Sequence, residues 1–161
     1  LSAYSAITLV AWSFGVASYA HWQQTRVDPF AGKIAVNGSL TPINRATGVR
    51  PVAMTRTIET LDQDAYQRFL FRVFNADQPR SEIDITARRQ ELSAIETRGD
   101  APAVPFDHAW VSASDKIFPS ANLHRAWPAD IVRPIPGPHA PFGAFATWQE
   151  VLTCKTMRRC T

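Results

Sequence analysis

The first twenty residues, LSAYSAITLVAWSFGVASYA, carry no charged side chain, and this run constrains the chain more than any other feature. As a helix rising 1.5 Å per residue it would be about 30 Å long, the thickness of a bilayer's hydrocarbon core. A cleavable secretory signal, a buried helix of a globular domain and a permanent anchor all fit that length. The signal lacks a basic n-region. A buried globular helix normally keeps a polar side chain on its wet face, and the first amide side chain is Gln23. Tyr19, His21 and Trp22 are followed by Gln23, Gln24 and Arg26, the order expected where a helix leaves hydrocarbon for headgroups. The reading is a single transmembrane helix over 1–22, with Ala11, Gly15 and Ser18 forming a small-residue face for neighbouring helices. The sequence starts at Leu1 rather than Met, so further residues are expected upstream. A bacterial or organellar inner membrane is expected, with the side of the C-terminal part left open.

Residues 23–59 read as an extended linker. Asn37-Gly38 between KIAV and SLTPI predicts a short β-hairpin with a type I′ turn over about 33–43, and Pro42 would hold its second strand at an edge. Residues 60–99 predict a small helical hairpin. Thr60-x-x-Gln63 forms a capping box, and Leu61, Ala65, Tyr66, Phe69, Leu70, Val73 and Phe74 recur at helical spacing before Asn75. A second helix is expected from Ser81, its N-cap, to Arg98, stopped by Gly99. A short strand over IDIT, 83–86, is the less favoured alternative.

Residues 100–161 hold eight of the twelve prolines, from Pro102 to Pro141, interleaved with Trp110, Phe118, Trp127, Phe142, Phe145 and Trp148. Proline at this density opposes regular structure, yet disordered linkers are poor in large aromatics. The expectation is an extended docking segment whose aromatic anchors fill pockets on partner subunits. Cys154 and Cys160 fit no metal box and no Cys-x-x-Cys redox motif. They would form a local disulfide in an oxidising compartment and remain thiols elsewhere.

These readings give a mainly α chain with much irregular structure. Seventeen basic residues against fourteen acidic ones leave a charge of +3, scattered along the sequence, so nucleic acid is excluded as the natural partner. No HExxH, CxxCH, GxSxG or phosphate-cradling glycine loop is present. Asp107-His108 beside Ser112 or Ser114 is too generic for a triad, which is defined by geometry. The expected protein is therefore not an enzyme, with no catalytic residue, no metal and no cofactor. It would be an accessory, structural subunit in the assembly of a respiratory, photosynthetic or secretory membrane complex, held by the bilayer and by other subunits. The alternative is a membrane-tethered binding or metal-dependent catalytic domain built on His108, His124 and His139, with Asp107, Asp115 and Asp130 near them in sequence.

Overall fold

A computed structural model describes residues 4–153. Four short strands, β1 (Thr8–Trp12), β2 (Gly32–Val36), β3 (His108–Ser112) and β4 (Val132–Ile135), form one sheet in the order β1-β2-β3-β4. Every pairing is parallel, with Val10 beside Ile34, Ala35 beside Ala109 and Trp110 beside Arg133. Parallel neighbours need crossover connections. Helix α1 (Gly15–Gln23) joins β1 to β2, and α5 (Ser120–Ala126) joins β3 to β4. Between β2 and β3 the chain makes α2 (Pro51–Thr60), α3 (Gln63–Phe74) and α4 (Ile85–Arg98). A 3-10 turn (Pro141–Ala144) and α6 (Trp148–Thr153) follow β4.

The sheet is covered on both faces, so alternate residues of each strand enter different cores. Ala11, Ala35, Ala109, Val111 and Val132 pack with Val16, Tyr19 and Ala20 of α1 and Leu123 of α5. Ile34, Val36, Trp110 and Ile135 pack on the opposite side with Val151 of α6. Strands buried on both faces read as continuous apolar runs, which explains the uncharged N-terminus. Within the described part of this run, the chain forms not one long helix but strand β1, a turn at Ser13, and the nine-residue, largely buried α1. Among the described residues, no helix is long and apolar enough to cross a membrane.

The other expectations for the fold are corrected as well. The architecture is α/β, not mainly α. Asn37-Gly38 closes no hairpin: β2 is parallel to both neighbours, and only Asn37 takes a left-handed φ, of 46°. Helix α3 is capped by Asp62, whose carboxylate accepts the Ala65 N–H, while Thr60 belongs to α2 and bonds back to the Arg56 carbonyl. Asp84 caps α4 in the same way. Rather than forming a hairpin with α3, α4 lies on α2, tied by Thr55 to Glu96 and by Arg89 to the Leu61 carbonyl. The proline-rich part is not an extended strap. It supplies β3, α5 and β4, and its prolines lie mostly in the loops around them, with Pro134 inside the edge strand β4 and Pro141 opening the 3-10 turn.

Candidate active site

All four strands run in one direction, so their C-terminal ends share an edge, where open α/β sheets place ligands. Ser13 follows β1 with φ at 57°, a left-handed conformation costly for a residue with a Cβ. Its N–H donates to the Val36 carbonyl at the end of β2, and its carbonyl accepts the Val16 N–H in the first turn of α1. The strand-to-helix turn is therefore fixed from both sides, and it holds the Ser13 hydroxyl out at the sheet edge.

That hydroxyl lies 2.9 Å from His139 Nε2, and His139 Nδ1 lies 2.8 Å from Asp115 Oδ2. His139 is 1 % exposed, and the Asp115 side chain is fully buried. The other carboxylate oxygen of Asp115 accepts the Ile117 and Phe118 N–H groups at 2.7 and 2.9 Å, which fixes its orientation. An ionised carboxylate only accepts, so Nδ1 carries the ring proton and Nε2 is left as an acceptor facing the Ser13 hydroxyl. Beneath the imidazole, the Phe118 ring stacks at 5.9 Å with an interplanar angle of 3°. The Phe14 N–H, next after Ser13, makes no hydrogen bond to a described residue. In a strand-turn-helix of this kind, the amide after the nucleophile faces the developing oxyanion.

Ser13 opens into a cavity of about 300 Å³ between the sheet edge and helices α2–α4. Phe14, Met54, Leu61, Tyr66, Phe69 and Ile117 supply apolar walls, with Arg72, Arg88, Glu91 and Lys116 as its charged groups. The cavity suits an aliphatic chain with a polar continuation.

The residues singled out in the sequence scatter across this frame. Ala11 lies in β1 and Gly15 and Ser18 in α1, so they share no transmembrane face. Trp110, Phe118 and Trp127 are buried in the chain's own core. Phe142 and Phe145 pack half-buried beside Trp110 and Val151, and Trp148 is 65 % exposed. Cys154 and Cys160 lie outside the described residues. His108 sits on β3 and His124 on the outer face of α5, away from His139, and no group of metal-ligating side chains forms among the described residues. His139 and Asp115 are instead joined by Ser13, which the sequence reading missed. The available signal was Ala11-Trp12-Ser13-Phe14-Gly15, a G-x-S-x-G turn with alanine in the first position. Ala11 is buried at the end of a packed strand, where a methyl group fits.

A nucleophile-position serine on a strand-to-helix turn, with Ser13, Asp115 and His139 in that chain order after the parallel strands β1, β3 and β4, is the arrangement of the α/β-hydrolase class. Residues 1–151 match the family model described as pimeloyl-ACP methyl esterase BioG, and the chain belongs to that family. An uncharacterized protein of Haemophilus influenzae is 32% identical over 165 residues, covering 94% of this chain and 74% of the relative. A malonyl-[acyl-carrier protein] O-methyltransferase of Bacteroides fragilis is 30% identical over 137 residues, covering 79% of this chain but 28% of that protein. The crystal structure of BioG from Haemophilus influenzae superposes with a TM-score of 0.82 at 30% identity, over 94% of this chain and 75% of that one. A pyrethroid hydrolase, PytH, shares the fold at a TM-score of 0.56 and 16% identity.

Family membership corrects the functional expectations. The chain belongs to an enzyme family, not to the accessory subunits of a membrane complex. The expected membrane-complex partners and single-pass membrane location fall with the transmembrane helix on which they rested.

Proposed function

We propose that the chain hydrolyses a methyl ester at the far end of an acyl chain carried on acyl-carrier protein, through Ser13, His139 and Asp115. The carrying observation is the hydrogen-bonded chain Ser13–His139–Asp115, at 2.9 and 2.8 Å, opening into the cavity. The family's description as a pimeloyl-ACP methyl esterase supports this substrate. The Bacteroides relative's methyltransferase name belongs to a much longer protein, of which this chain spans 28%.

In this reaction the Ser13 oxygen attacks the ester carbonyl carbon while His139 Nε2 takes its proton. The Phe14 N–H meets the oxyanion of the tetrahedral intermediate. Collapse breaks the carbon–methoxy bond, and the proton held by His139 leaves with methanol. Water, deprotonated by the same nitrogen, then releases the acid and restores Ser13. Asp115 keeps the imidazole in the required tautomer and stabilises its charged form. The apolar walls take the methylene chain, and the carrier-protein end stays toward solvent.

The test is incubation with the methyl ester of a pimeloyl chain on acyl-carrier protein, followed by mass spectrometry of the intact carrier. The expected product is the free acid still thioester-linked, with no turnover by Ser13→Ala. Release of the carrier thiol with the methyl ester intact would overturn the assignment.

A further inference from the structure

The imidazole of His139 is carried by an unusual backbone. The segment Ile135-Pro-Gly-Pro-His-Ala-Pro141 contains three prolines, which donate no hydrogen bond, so it cannot form a ladder of its own. Its carbonyls must be met by donors from elsewhere. Ala113 N–H donates to the Ile135 carbonyl and Ser114 N–H to that of Gly137. At His139 the carbonyl accepts two side-chain donors, Trp12 Nε1 at 2.8 Å and Asn37 Nδ2 at 2.8 Å.

Asn37 is 1 % exposed and makes a bond with nearly every polar atom it has. Its N–H donates to the Trp110 carbonyl at 3.0 Å. Its side-chain oxygen accepts the Ser112 N–H at 2.8 Å, and Nδ2 donates to Ser112 Oγ at 2.7 Å and more weakly to the Pro138 carbonyl at 3.3 Å. The left-handed φ of 46° that aims this amide into the sheet edge is one that asparagine tolerates better than other residues with a Cβ. One side chain after β2 thus joins the end of β3, three residues before Asp115, to the backbone of His139. Trp12, immediately before Ser13, reaches the same carbonyl.

We infer that Asn37 is a positioning residue: it touches none of the reacting atoms, but through the His139 carbonyl it sets the distance between Nε2 and the Ser13 hydroxyl. The inference rests on the triad reading above. A displacement of about 1 Å at a reacting pair costs on the order of 100-fold in rate. Losing one of two donors should therefore slow proton transfer about 10- to 100-fold without altering the cavity walls.

The experiment compares the wild type with Asn37→Gly, which accepts the left-handed backbone and removes only the side chain, and Asn37→Asp, which keeps the acceptor for Ser112 N–H but loses both donors. Fluorophosphonate labelling rates and p-nitrophenyl butyrate kinetics are measured per folded molecule. Wild-type labelling at Ser13, with labelling and kcat in both variants reduced about 10- to 100-fold at a KM within about twofold of wild type, supports the inference. Wild-type rates in folded variants that melt at lower temperature overturn it and leave Asn37 a purely structural residue. If the wild type is not labelled at Ser13, the triad reading falls and takes this inference with it. Should neither Asn37 variant fold, Trp12→Phe removes the second donor to the same carbonyl while keeping an aromatic ring. A lowered kcat at unchanged KM supports the inference, and an unchanged kcat overturns it.

Discussion

Gly38→Ala should disable the site from behind. A Cβ at Gly38 would stand 2.1 Å from the Ser13 carbonyl oxygen, 2.8 Å from Val16 Cγ2 and 3.0 Å from the Ser13 carbonyl carbon. A carbon–oxygen contact is comfortable from roughly 3.3 Å, so the two backbones must separate by about 1.2 Å. The β2 side has little freedom to yield. The Gly38 carbonyl accepts Trp127 Nε1 at 2.9 Å, and the preceding Asn37 is bonded on all sides. Most of the movement therefore falls on the Ser13 turn, whose N–H is bonded to Val36. A shift of that size costs on the order of 100-fold in kcat, and overpacking of this kind costs about 1–3 kcal/mol of stability. The assay pairs p-nitrophenyl ester kinetics with urea denaturation. A Gly38→Ala protein with wild-type kcat and an unchanged urea midpoint would refute the close approach of these two turns.

Asp115→Asn should lower kcat by about 10³- to 10⁴-fold while circular dichroism stays unchanged, because an amide can donate to Nδ1 and favour the wrong tautomer. Phe118→Ala should cost about 3–5 kcal/mol in urea denaturation, since the ring is fully buried against Phe14 and His139. At the opposite end of the sheet, Lys33 lies 2.6 Å from Asp28 and holds its carboxyl below the usual range, against burial and with help from the Phe30 N–H. A depressed folded-state value contributes stability above the ordinary carboxylate range that disappears as pH falls through the folded value. Asp28→Asn should therefore cost about 1 kcal/mol at neutral pH, with the difference vanishing in acid unfolding titrations. The same substitution should lower the Tyr19 hydroxyl, which burial first, and Asp28 second, push up to about 12; ultraviolet titration reads that change.

Some local boundaries were legible because their chemistry is local. Helix α3 stops at Asn75 in a left-handed conformation, and α4 stops at Gly99 with φ at 71°, as their residue types require. The larger errors share one cause: burial on both sides of a parallel sheet erases the alternation that marks a strand. Thr8–Trp12 and α1, separated only by Ser13 and Phe14, contain as little charge as a membrane span. Asn37-Gly38 has the local chemistry of a hairpin turn, but only long-range pairing with β1 and β3 makes it a strand end beside the nucleophile. Trp110 and Trp127 looked like anchors for a partner because the segments they pack on are distant in sequence. Their indole N–H groups donate to Val151 and Gly38 within this chain. The triad was the least visible feature, since Ser13 and His139 are 126 positions apart and the turn's motif has alanine, Ala11, in place of its first glycine.

The most direct measurement is a crystal structure of the protein after reaction with a phosphonate ester. The expected adduct has a covalent bond from Ser13 Oγ to phosphorus, a phosphonyl oxygen on the Phe14 N–H, and His139 Nε2 hydrogen-bonded to the adduct while Nδ1 stays on Asp115. Phosphorus bound to any other residue, or an unmodified Ser13 facing a filled cavity, would contradict the assignment of Ser13 as nucleophile.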